Sequence, residues 1–225
     1  AFLREVDEEY RRDQAMQIFK RYGRLIIGAV VVALIALAGW LYWQHHNQSQ
    51  AGVQGEEYDA AMRLAEQGQG DKALPALDKI ASTGGEGYAA MARIAQGNLL
   101  LQKNDVKGAA AKFAEVANNS KYEQPYRDLA LIRQTVAEYD SLKPQVVIDR
   151  LKGLTNPNSP WLGTAGELVA AAYLKAGNRA EAGRLYGQIA QGGEKVPESI
   201  RQRTVQLAGV LGVDAIDQSK ETKAK

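Results

Sequence analysis

His45 and His46 are the chain's two histidines, adjacent to each other, and the chain has no cysteine. No histidine follows them, so a serine–histidine–acid relay cannot be assembled in the long polar remainder of the chain. Disulfides, thiolate metal sites and cysteine nucleophiles are excluded outright. Two neighbouring imidazoles make a poor chelate, and the nearest following carboxylate is Glu56. They read as a polar cap. Gly23-x4-Gly28 has phosphate-loop spacing, but Ala29 and Val30 follow it where a nucleotide site needs Lys and Ser or Thr. The GGEG run at 84–87 reads as a turn. The Glu56/Glu57 pair reads as exposed helix, whereas acid–base catalysis needs a cleft and a shifted pKa. The residue chemistry therefore predicts no enzyme, no cofactor and no bound metal.

Charge narrows the field further. From residue 51 onward 22 Lys and Arg stand against 21 Asp and Glu, interspersed without a basic stripe. A nucleic-acid surface needs concentrated positive charge, so no nucleic-acid partner is expected. What remains for such a chain is recognition of other proteins.

The elements that must position a recognition surface begin with an apolar run. Leu25 to Trp43, LIIGAVVVALIALAGWLYW, contains no charged residue. At ~1.5 Å of rise per residue it spans roughly 28 Å, about the hydrocarbon thickness of a bilayer. Lys20, Arg21 and Arg24 precede it, and QHHNQSQAGVQG follows without a formal charge. The positive-inside rule then predicts a cytoplasmic N-terminus, with Trp40, Tyr42 and Trp43 in the outer interfacial belt. A cleaved signal peptide is the rival reading, through a weak Ser49-Gln50-Ala51 match. The run exceeds the usual ~7–15-residue apolar core of such peptides, and the head before it carries Glu5, Asp7, Glu8, Glu9 and Asp13. Val6, Tyr10, Ile18, Phe19 and Tyr22 give that head a modest apolar side. Residues 1–24 are accordingly read as a cytoplasmic segment, 25–43 as the span and 44–54 as a linker. Residues 55–217 form a folded domain and 218–225 a charged tail.

The folded domain reads as all-α. It is rich in Ala, Leu, Gln, Glu, Lys and Arg, which favour helix, and it has no sustained two-residue alternation. Gly, Asn and Pro clusters at 68–71, 82–87, 103–105, 118–120, 156–160, 176–178 and 191–193 mark helix ends. Four triplets recur between them: Ala73-Leu77-Ile80, Ala109-Phe113-Val116, Val147-Leu151-Leu154 and Ala182-Tyr186-Ile189. The offsets of 36, 38 and 35 residues lie near the ~34-residue tetratricopeptide period. Twelve residues before each triplet stands a small residue, Ala61, Gly97, Thr135 or Ala170, where two helices could approach closely. Leu64, Leu100, Glu138 and Tyr173 follow three residues later. Thr135 and Glu138 make the third unit the most divergent. A helix near Pro197–Leu211 is expected to cap the stack, because a terminal repeat must not leave its apolar face open.

These units resemble tetratricopeptide repeats, the second (GNLLLQKNDVKGAAAKFAEV) and fourth (AAAYLKAGNRAEAGRLYGQI) most clearly. The resemblance implies a solenoid whose first helices line a concave face. It places Tyr58, Met62, Met91, Ile94, Asn98, Leu101, Ile132, Val136, Tyr139, Glu167 and Leu174 there. That set is mostly apolar and rich in Met and Tyr, which suit adaptable binding of varied sequences. Asn98 alone fits the carboxylate clamp some members of the repeat class use. A bundle whose Ala-rich helices share this spacing by chance is the plainer reading.

The head VDEEYRRDQ (6–14), QIFKRYG before the span, GWLYW at its end, the polar QHHNQSQAG and the four degenerate units together resemble the YfgM-type ancillary subunits of the bacterial Sec translocon. The resemblance implies a single-pass inner-membrane protein with a periplasmic domain. It also implies association with SecYEG and with a PpiD-like membrane-anchored chaperone, and help for newly translocated, unfolded or partly folded clients. A tethered scaffold for another envelope assembly complex is the alternative.

Overall fold

The computed structural model describes residues 2–215, with side chains placed from Tyr22 onward except Ile26 and residues 46–50. The apolar side of the head, His46 and the tail at 218–225 lie outside these descriptions, as does the domain end at 216–217. The first helix, α1, runs Phe2–Glu66. The chain divides into two compact units at Val53/Gln54.

In the first unit, Tyr22–His45 is long and apolar enough to cross a membrane, the single such stretch among the described residues. It contains the whole 25–43 run. Leu25, Ile27, Leu34, Ile35 and Trp40 are all exposed. The 44–54 stretch, read above as a linker, is helical throughout.

In the second unit, the end of α1 is followed by α2 (Gly70–Thr83), α3 (Glu86–Gln102), α4 (Val106–Ala117), α5 (Gln124–Glu138) and α6 (Pro144–Leu151). Then come α7 (Leu162–Lys175), α8 (Arg179–Ala190) and α9 (Glu198–Val210). Short 3₁₀ turns follow α6 at Lys152–Leu154 and α8 at Gly193–Lys195. No strand occurs among the described residues. The helices end where the sequence punctuation stands, except that the turn at 139–143 between α5 and α6 falls at none of those clusters; α9 begins directly after Pro197, at its expected place.

From α2 to α9 each helix packs on the next, and α3, α5, α7 and α9 also touch in series. The first helices of successive pairs thus form one continuous layer, which is what makes a stack of hairpins a solenoid. Three apolar clusters run along it. Ala61 joins Leu77 and Ile80 of α2 to Ala92, Ala95 and Leu99 of α3. Ile94, Phe113, Val116 and Ala130 link α3, α4 and α5. Val147, Leu151, Val169, Tyr186 and Ala208 carry the core from α6 to α9.

The repeat register is the packing register. All four small positions, Ala61, Gly97, Thr135 and Ala170, are buried. So is every member of the four triplets except the half-buried Leu154, which falls in the 3₁₀ turn. At Gly97 the reason is direct: a Cβ there would lie 2.5 Å from the Phe113 ring. The divergent third unit keeps the arrangement by other means. Thr135 is fully buried, and its hydroxyl donates to the Leu131 carbonyl at 2.8 Å, so no polar atom is stranded. Glu138 spans the helix pair to accept from the Arg150 guanidinium at 2.5 Å.

Candidate functional site: the inner face of the first helices

The residues expected on the face of the first helices sit on the end of α1 and on α3, α5 and α7. Tyr58, at the end of α1, is half-buried and leans on Tyr88 of α3, ring centroids 6.2 Å apart. The same join is close because residue 55 is Gly: a Cβ would meet the Tyr88 hydroxyl at 2.8 Å. Beside it the Gln54 side chain accepts from the Gly85 N–H at 2.8 Å, at the start of α3. Met62, Met91, Asn98, Leu101 and Leu174 are half-buried, each with part of its side chain open to solvent. Val136 is the most open, 46% exposed.

Two residues of the expected surface belong to the core instead. Ile94 (8% exposed) packs with Phe113, and Ile132 (2%) packs with Leu151 and the α7 residues. Ile94 shares its cluster with Ala130 of the next pair, and Ile132 shares its with Val169 of the next. They support the face but present almost no area to a partner.

Toward the C-terminal end the face becomes polar. The Lys175 ammonium sits 4.7 Å from the centre of the Tyr139 ring, a cation–π contact, and 4.0 Å from the Asp140 carboxylate. The Tyr139 hydroxyl is buried without a hydrogen-bond partner. Burial, and then the nearby Asp140 charge, push its pKa above the usual phenol range. Glu167 accepts two hydrogen bonds from Arg203 of α9, at 2.7 and 2.6 Å. This forked pair ties the last helix to the inner layer. It holds the Arg203 guanidinium even more firmly charged. Tyr186 lies within electrostatic reach of Glu167, Tyr139 and Arg203, and its pKa is raised chiefly by burial. Tyr58 is raised likewise, burial first and Asp59 second.

Among the described residues no group of three or more His, Asp or Glu converges as a metal site needs. The face offers apolar area, amide and phenol hydrogen bonding, and a few charges held by neighbours. Lys175 and Arg203 were not legible as site residues in the sequence. Their roles depend on contacts across 36 residues, and no local pattern marks them.

The sequence model of the tetratricopeptide repeat-like domain family matches residues 17–208. The Escherichia coli (strain K12) protein named Ancillary SecYEG translocon subunit is 24% identical over 175 residues, covering 77% of this chain and 82% of that protein. A Haemophilus influenzae protein of the same name is 24% identical over 118 residues, covering 52% of this chain and 58% of its own length. No solved structure matches the chain.

Proposed function

The chain belongs to the tetratricopeptide repeat-like domain family, and from that premise we propose that it is a non-enzymatic, membrane-anchored scaffold subunit of the Sec translocon. Two relatives bear the name of that role. The Tyr22–His45 helix supplies the anchor. Lys20, Arg21 and Arg24 before it, against an uncharged flank after it, favour a cytoplasmic head and a periplasmic repeat domain.

The observation that carries the reading is the inner layer of first helices. Tyr58 and Met62 at the end of α1, Met91 and Leu101 of α3, Val136 of α5 and Leu174 of α7 keep part of their apolar area unburied, which supports a recognition face built on those helices. Such a face recognises apolar polypeptide surface, of a partner or of an emerging client. In the proposed setting those are SecYEG, a PpiD-like chaperone and newly translocated chains. Tethering raises the local concentration of the face to about the mM range for a short connection, so weak contacts suffice.

The test replaces Met62, Met91 and Val136 with Ser in the full chain. Met91 and Val136 belong to none of the packed clusters and Met62 only borders one, so the melting temperature should fall little. Recovery of SecY and of the chaperone in mild detergent should fall several-fold, because each lost Å² of apolar contact is worth ~25 cal/mol. A stably folded triple variant that recovers both at the original level sinks the assignment of this face. Recovery of a different envelope complex by the unchanged protein, with no SecY, would instead support the alternative scaffold role.

A further inference from the structure

On α8, away from the face just described, two recesses meet. One, of about 560 Å³, is bounded by Pro157, Arg184, Gln188, Gln191 and Lys195. The other, of about 180 Å³, shares Pro157, Arg184 and Gln188 with it and ends at Lys152. Together they form a trough between α8 and the Asn-Pro-Asn-Ser-Pro loop at 156–160. Three cations line it, Lys152, Arg184 and Lys195, and no carboxylate does. Lys152 and Arg184 are each met by an acid three residues earlier in the chain, Asp149 at 3.1 Å and Glu181 at 2.6 Å. Both pairs are solvent-exposed, and such pairs hold weakly. Among the described residues Lys195 has no acidic partner and donates to the neutral Asn158 amide oxygen, at 3.2 Å. The loop is braced by Gln188, whose amide donates to the Thr155 carbonyl at 2.7 Å.

We propose that this trough docks an acidic, extended segment of a partner polypeptide, independently of the inner face. Arg184 and Gln188 of α8 and Gln191 at its C-terminal cap form one row, whose seven-residue rise is roughly 10 Å, and Lys195 follows in the 3₁₀ turn beyond it. An extended peptide advances ~3.3 Å per residue, so about three residues of it span the row, with Arg184 at one end and Lys195 beyond the other to meet its carboxylates. The glutamine amides between them suit the peptide's backbone. The chemistry favours a peptide over a nucleic acid, because the domain around the trough is close to neutral and offers no wider basic surface. It favours a peptide over a lipid surface because the cations line a recess.

The experiment uses the full chain in phosphatidylcholine nanodiscs and a fluorescein-labelled peptide, Glu-Ala-Asp-Glu-Ala-Asp-Glu-Ala, read by anisotropy. Saturable binding is expected, weakening as salt is raised. Arg184→Ala with Lys195→Ala should lower affinity about tenfold while the melting temperature stays unchanged, since both side chains are exposed. Lys107→Ala, on α4, should leave affinity as it was. The proposal is overturned by an absence of saturable binding, by equal binding of the Gln-for-acid peptide, or by an unchanged affinity in the double variant. It is also overturned if inorganic phosphate, or phosphatidylglycerol placed in the nanodisc, displaces the peptide at equal carboxylate-equivalent concentration. Either result would identify a simple anion site or a lipid headgroup site.

Discussion

At the scale of single residues, the fold turns on small-against-large contacts. Gly97 lets α3 approach α4 until its backbone meets the Phe113 ring, and Phe113 is itself fully buried. Phe113→Ala should cost ~3–5 kcal/mol. Gly97→Ala, which adds one methyl, should cost ~1–3 kcal/mol by overpacking. Because the two changes share one contact, Gly97→Ala in a Phe113→Leu background should cost less than in the parent. Urea titration of the four proteins measures this, and strictly additive losses would refute the contact. The buried phenols make a second residue-scale prediction. Tyr186 has a folded pKa above its ordinary value of 10.0, mainly through desolvation. Its neutral form is favoured by folding, so its contribution is intact below about pH 10 and is lost as pH rises through the higher folded value. Melting temperature measured from pH 8 to 11.5 should fall at the alkaline end, and Tyr186→Phe should flatten part of that fall.

At the scale of elements, three of the four turns within helix pairs share one construction. Gly68, Asn104 and Gly177 each adopt positive φ (75°, 62° and 77°) just before the next helix. After two of them the following side chain caps that helix: Asp105 accepts from the Gly108 N–H at 2.9 Å and Asn178 from the Glu181 N–H at 3.3 Å. Asp105→Ala should therefore cost ~0.5–2 kcal/mol. Asn104 holds a left-handed conformation that glycine adopts freely, so Asn104→Gly should raise the melting temperature slightly. A lowered one would mean that the Asn side chain has a contact beyond its backbone role. Arg93 joins three elements at once. Its guanidinium donates to the Ala81 carbonyl at 2.5 Å at the end of α2 and to Glu115 of α4 at 3.2 Å, and lies 5.9 Å from the Tyr122 ring. Arg93→Met, which keeps the stem and removes the donors, should loosen the α2–α4 join more than Lys79→Met, whose pair with Glu57 is exposed.

At the scale of the whole molecule, stability in a stack passes only between neighbours. The C-terminal end is closed by α9 and by the turn and segment that follow it, to residue 215. Val213 packs against Gly183 and Gly187 of α8, where added Cβ atoms would lie 3.0 Å from its methyls. Removing residues 198–215 should expose the outer side of α7 and α8, where Ile200 now lies close to Gly163. Hydrogen exchange should then rise sharply in α7 and α8, less in α5, and little in α2 and α3. A uniform rise across the domain would show a single cooperative unit instead. Orientation is tested in spheroplasts. Protease added outside should digest the repeat domain and spare the head, whereas protection of α2–α9 would reverse the proposed topology.

The sequence by itself determined what depends on composition and period. The uncharged Leu25–Trp43 run marked the membrane-length helix, because a bilayer imposes length and apolarity locally. The spacing of Ala61, Gly97, Thr135 and Ala170 before their triplets gave the helix pairs and their register, because a small residue opposite a large one is a short-range packing demand. The tertiary structure alone decided which inner-layer residues present surface. Ile94 and Ile132 look no different from Met91 and Val136 in the repeat register, yet the next pair covers them and leaves the others open. It alone brought Glu167 to Arg203, Lys175 over Tyr139, and Lys152, Arg184 and Lys195 to one trough. Those arrangements depend on how successive hairpins rotate against each other, a property of summed contacts that no single segment carries.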